Sequence, residues 1–188
     1  QRPESASGTA LAPSLNAFDE AVRMVRNSIL LSNFDRRMRS ILFTSAVPGE
    51  GKSTAALHFA IANAEQGKKT LLIDADLRRP TLHKKMNLQM TAGLSDVLGG
   101  EISWHAAVEK HLAINSLEFL AAGSPSKRTA DLIGSGMTDL LDQVTMNYDL
   151  VVVDGPPLLG FAEPMQLAIA SDGVVVVAVA GETNRQAI

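Results

Sequence analysis

The stretch TSAVPGEGKST, Thr44–Thr54, decides the fold. It closes the apolar run SILFTSA and opens KSTAALHFAIANAEQG, so a strand runs into a glycine loop and the loop into a helix, which Gly67 closes. A loop of the form G-x-x-x-x-G-K-[ST] at that junction lets successive backbone N–H groups converge on one anion, and the helix adds its positive N-terminal end. The phosphate-binding candidates are therefore Pro48, Gly49, Glu50, Gly51, Lys52, Ser53 and Thr54. Lys52 is placed to reach the β- and γ-phosphates, Ser53 to ligate Mg²⁺, and Thr54 to lie near the phosphates in the first helical turn. Ala46 stands at the first glycine position, a departure tolerated where the backbone needs no positive φ.

Two further motifs lie downstream. In LLIDADLRRP, Asp74 and Asp76 alternate, so an extended strand end points both carboxylates to one side, where they suit Mg²⁺ binding or proton acceptance. Arg78 is a partner for these acids or for a phosphate. In LVVVDGPP, Asp154 ends an apolar strand and fills the usual place of a second Mg²⁺ anchor. The candidate metal ligands are thus Ser53, Asp76 and Asp154, and the catalytic set is Lys52, Asp74, Asp76 and Asp154, with either Asp74 or Asp76 as base.

The rest of the chain fits a framework around these motifs. Residues 1–13, rich in Pro, Ser, Gly and Ala, form a flexible lead, and residues 14–188 form one domain. A helix follows, with Ser14 and Asn16 as caps and Phe18, Val22, Val25 and Ile29 at helical spacing, while Glu20, Arg23 and Arg26 fan over its polar side. LEFLAAG is a strand, residues 136–147 and 163–171 are helices, and GVVVVAVAG is a buried strand. Apolar strands alternating with helices give an α/β fold, P-loop NTPase-like, with a mostly parallel central β-sheet and helices on both faces. Ligands then belong at the carboxyl ends of the strands.

Composition narrows the function. The 188 residues carry a net charge of -3, which argues against a nucleic-acid partner. Cysteine is absent, excluding thiolate metal sites and Cys nucleophiles. The four histidines have no metal-like spacing and read as structural or surface residues; Trp104 and the single tyrosine, Tyr148, read as packing.

With these residues in place, the chain resembles the bacterial tyrosine kinases, whose cytoplasmic domains regulate exopolysaccharide and capsule assembly. SAVPGEGKST resembles the family's Walker A loop, LLIDADLRRP its second acidic motif (Walker A′) and LVVVDGPP its Walker B strand. EAVRMVR resembles its Glu-x-x-Arg-x-x-Arg helix, which implies a subunit-contact role for Glu20, Arg23 and Arg26. TLHKKMNLQMTAGLSDVLGGE resembles the stretch after Walker A′. The resemblance implies ATP with Mg²⁺ (ADP after turnover), a homo-oligomeric ring, and an acceptor in the tyrosine-rich tail of a neighbouring subunit. It also implies a cytoplasmic domain working with a membrane-spanning polysaccharide co-polymerase segment, in cis or in trans. The chain departs from the family at Gly155, at Glu163 and in SKRTADLIG. Two rivals share the loop: a partitioning-type ATPase, which carries an extra lysine where this chain has Val47, and a nucleotide-responsive scaffold without phosphotransfer.

Overall fold

The computed structural model describes residues 12–31, 38–89 and 92–183. Its elements are α1 (Ala12–Leu31), β1 (Ser40–Ser45), α2 (Lys52–Ala64), β2 (Thr70–Asp74), α3 (Leu82–Lys85), α4 (Leu94–Leu98), α5 (Trp104–Ala107), β3 (Val108–Lys110), β4 (Leu117–Leu120), α6 (Thr129–Val144), β5 (Leu150–Asp154), α7 (Glu163–Ala170) and β6 (Gly173–Val177). The strands form one six-stranded sheet in the order β3-β4-β2-β5-β1-β6. All neighbours are parallel except β3, which pairs antiparallel with β4.

Period-two alternation divides the core in two. Leu71, Ile73, Val151 and Val153 point to the face covered by α4, α5, α6 and α7. Ile41, Phe43, Leu72 and Val152 point to the face covered by α2, against Ala56, Phe59 and Ala60. The strands are apolar on both faces because both are covered, as a parallel sheet requires.

Several expectations change. The helix begins at Ala12, so Ser14 and Asn16 stand inside it, and the last two residues of the expected lead belong to α1; residues 1–11 lie outside the described residues. Val22 and Ile29 pack on the core, but Phe18 and Val25 are exposed. Arg26 lies on the side of the helix that meets α2, and its Nε donates to Asn63 Oδ1 at 2.9 Å. Helix α6 starts at Thr129, ahead of the expected residue 136, and β3 and α3 are too short for a periodic signal. The buried strand expected of GVVVVAVAG is instead the sheet's edge. Its valines alternate, Val175 and Val177 against the core and Val174 and Val176 exposed.

Candidate active site

In the order β2-β5-β1, the carboxyl ends of three adjacent strands bring the three motifs together. Asp74 and Asp154 face each other in register across β2 and β5, and Phe43 faces Asp154 across β1. The polypeptide leaves β1 through the glycine loop, where Gly49 and Gly51 take φ of 92° and 91°, a region that disfavours any side chain. Ala46 needs no positive φ, as expected. The loop is braced internally: Glu50 accepts the backbone N–H of Val47 at 2.9 Å and the hydroxyl of Thr183, beyond β6. Ser45 Oγ donates to the Val47 carbonyl at 2.8 Å.

Lys52 opens α2 and lies almost wholly buried among the acids. Its Nζ donates to Asp76 Oδ2 at 2.9 Å, Asp154 Oδ1 at 3.4 Å and Ser53 Oγ at 3.2 Å. Burial alone would lower the ammonium pKa, but Asp154 and Asp76 outweigh it and hold Lys52 above its ordinary value. Asp154 is pushed up to about 6 by burial, against the opposing pull of Lys52 and a hydrogen bond from Ser53. Asp74 is pushed up to about 7, by burial first and by Asp154 second.

The two acids of Asp-x-Asp part company. Asp76 lines a cavity of about 530 Å³ with Lys52, Ser53 and Thr54, and its Oδ1 accepts the Arg79 N–H at 3.1 Å. Asp74 is fully buried behind that wall and its Oδ2 accepts the Leu82 N–H at 3.1 Å. β2 stops at Asp74 and the backbone turns only from Leu77, so Asp76 stands just beyond the strand end while Asp74 stays within it.

The oxygen set suits Mg²⁺. Among the described residues no cluster of three His, Asp or Glu side chains forms a metal cage. Mg²⁺ needs none, since it takes one or two carboxylates and completes its shell with phosphate and water. Ser53 Oγ, Asp76 and Asp154, whose Oδ2 is buried without a hydrogen-bond partner, provide such a set.

The opposite reaches of the cavity contain residues that sequence reasoning passed over. Lys85 lines the cavity and donates to Thr54 Oγ1 at 2.9 Å. Pro157, Leu159 and Phe161 add an apolar wall. Arg78 lines the same cavity, stacks its guanidinium over the Phe161 ring at 4.9 Å and donates from Nε to Glu163 Oε1 at 2.8 Å. Glu163 also accepts from Thr129 Oγ1 at 2.6 Å. Two of the family departures thus meet in one hydrogen-bonded set. The third, Gly155, makes a close approach, since a Cβ there would lie 2.7 Å from Leu42 Cδ1 and 3.2 Å from Leu167 Cδ1.

Other residues take the packing roles expected of them. Trp104 is buried and stacks on His105 at 3.5 Å between ring centroids. Tyr148 is buried, donates to Glu118, and lies at the foot of β5, the end away from Asp154. His58 lies against Phe18 and Asp19, His83 is buried, and His111 Nδ1 accepts two backbone N–H groups.

Comparison with known proteins agrees with this geometry. The AAA domain family matches residues 38–185. Tyrosine-protein kinase YwqD of Bacillus subtilis is 42% identical over 178 residues, covering 92% of this chain and 72% of that protein. The succinoglycan biosynthesis transport protein ExoP of Rhizobium meliloti is 36% identical over 149 residues, 77% of this chain but 19% of that longer protein. The kinase domain of the Escherichia coli tyrosine kinase ETK superposes with a TM-score of 0.87 at 26% identity, covering 99% of this chain and 74% of that domain. The septum site-determining protein MinD of Pyrococcus horikoshii shares the fold alone, with a TM-score of 0.64 at 22% identity over 74% of this chain and 57% of that one. The chain belongs to the bacterial tyrosine kinase family.

Proposed function

We propose that the chain is an ATP-dependent protein-tyrosine kinase that regulates exopolysaccharide or capsule synthesis and export. The observation that carries the reading is the convergence of Lys52, Asp76 and Asp154 on one cavity beside a phosphate loop. On this reading the loop N–H groups and Lys52 hold the phosphates, and Lys52 exchanges its carboxylate partners for phosphate oxygens on binding. Mg²⁺, held by Ser53, Asp76 and Asp154, would supply charge neutralisation on the transferred group. A tyrosine hydroxyl is a poor nucleophile near neutrality because its pKa is about 10. Asp76 is the better placed base, since it lines the cavity and Asp74 does not.

The acceptor comes from elsewhere. The chain has one tyrosine, and the six residues from Tyr148 to Asp154 span about 20 Å of extended chain. An acceptor in the tail of a neighbouring subunit of a ring fits this, with Glu20, Arg23 and Arg26 at the contact. Glu20 and Arg23 are exposed on α1 and paired at 3.1 Å, while Arg26 is already engaged by Asn63. Among the described residues no helix is long and apolar enough to cross a membrane; on this reading the membrane segment is that of a co-polymerase, in cis or in trans. Val47 favours this over a partitioning-type ATPase, because no lysine stands at that position.

Full-length protein supplied with MgATP is expected to accumulate phosphotyrosine, and Lys52→Met, checked for native fold, to lose it. Phosphotyrosine persisting in Lys52→Met would contradict the assignment, while ring assembly with no phosphotransfer in the wild type would point to the scaffold reading.

A further inference from the structure

Arg78 is held unusually firmly for a residue at the mouth of a cavity. Its side chain is 44% exposed, yet Nε is tied to a carboxylate that is almost wholly buried. Glu163 Oε1 takes both hydrogen bonds, from Arg78 and Thr129, and Oε2 is buried without a partner. A buried carboxylate is costly to retain, and Arg78 is the cation paired with this one. The bond to Glu163 uses only Nε, and Phe161 covers one face of the guanidinium. Both Nη groups, four N–H donors in a rigid plane, remain outside these contacts on a residue that lines the phosphate cavity. That plane matches two oxygens of a phosphoryl group, which a lysine at the same place would not do.

Topology sets where the fork arrives. The phosphate loop follows β1 and Arg78 follows β2, with β5 between them, so Arg78 approaches from the far side of Asp154. The helix carrying Glu163 begins just beyond β5, and Thr129 opens α6. The first turns of two helices therefore meet at the carboxylate that orients Arg78.

We propose that Arg78 contacts the terminal phosphoryl group of bound nucleotide and that Glu163 and Thr129 are its positioning residues. This rests on the reading of the cavity as an ATP site. The loop that follows β1 holds the phosphates common to ATP and ADP, and the Arg78 set distinguishes the triphosphate.

The test is calorimetric titration of wild type, R78K, E163Q and T129V with MgADP and with the magnesium complex of a non-hydrolysable ATP analogue. The wild type is expected to prefer the triphosphate. R78K and E163Q are each expected to cut that preference on the order of tenfold while ADP affinity stays within about twofold. T129V is expected to act in the same direction, and E163Q to add nothing once Arg78 is replaced. Because Glu163 is buried, E163Q is checked by thermal unfolding; R78K, at a half-exposed side chain, tests the phosphoryl contact without that burden. Wild-type preference in R78K, or equal weakening of both nucleotides, overturns the proposal. An effect in R78K with none in natively folded E163Q overturns the positioning role. A wild type that binds neither nucleotide overturns the ATP-site reading, and this proposal with it.

Discussion

Lys52 is a buried cation shared between two buried carboxylates, and the balance among them sets how the site responds to pH. Asp74, raised to about 7, and Asp154, raised to about 6, keep protons that the unfolded chain gives up near pH 4. Across that interval the native state binds more protons than the unfolded state, so stability falls as pH rises. The Tm of ligand-free protein is expected to drop between pH 5 and pH 8, and Asp74→Asn to flatten that drop and to unfold at higher temperature than wild type at pH 8. A wild-type minus Asp74→Asn difference that stays constant across the interval would contradict the burial cause. The candidate residues Lys52, Asp74, Asp76 and Asp154 were legible in the sequence because each sits at a fixed step from a strand end. The Arg78–Glu163–Thr129 set was not, since its members are separated by 85 and 34 residues and only folding joins them. The different access of Asp74 and Asp76 to the cavity was equally hidden, because it depends on where β2 stops.

At the scale of elements, α4 is sewn onto the end of β4. The N–H groups of Leu94 and Ser95 donate to the carbonyls of Ala121 and Ala122 at 2.7 and 2.9 Å. Asp96 Oδ2 accepts the N–H of Gly93 at 2.7 Å and of Ser124 at 3.1 Å. Gly93 is required for this approach, since a Cβ there would lie 2.2 Å from the Ala121 carbonyl oxygen. Gly93→Ala is expected to cost roughly 1–3 kcal/mol, read by urea unfolding, because rigid backbone has to move. A loss below about 0.5 kcal/mol would show that α4 is not held this closely. The apolar run ending in β6 shows what a strand's sequence withholds. Continuous valines suit a strand covered on both faces, yet β6, which among the described residues pairs with β1 alone, leaves the face of Val174 and Val176 exposed. Helix α1 gives the complementary case: its period was legible, but Arg26 meets Asn63 on α2 while Val25 is exposed.

For the whole molecule, strand direction places the phosphate loop and its acids at the carboxyl ends of the strands and the single tyrosine at the opposite end, at the foot of β5. Burial and the bond to Glu118 push the Tyr148 phenol above its ordinary pKa, so it is neither exposed nor activated. On the proposed reading the phosphoryl acceptor is a tyrosine other than Tyr148, and the cavity wall of Pro157, Leu159 and Phe161 would receive its ring. The most direct measurement compares wild type, Asp74→Asn and Asp76→Asn for the rate of phosphotyrosine formation on an added tyrosine peptide with MgATP, alongside nucleotide affinity. Phosphotyrosine is expected from the wild type, with Asp76→Asn reduced at least about a hundredfold while still binding nucleotide, and Asp74→Asn reduced much less. Equal rates in wild type and Asp76→Asn, or phosphate released to water with none on tyrosine, would contradict the account.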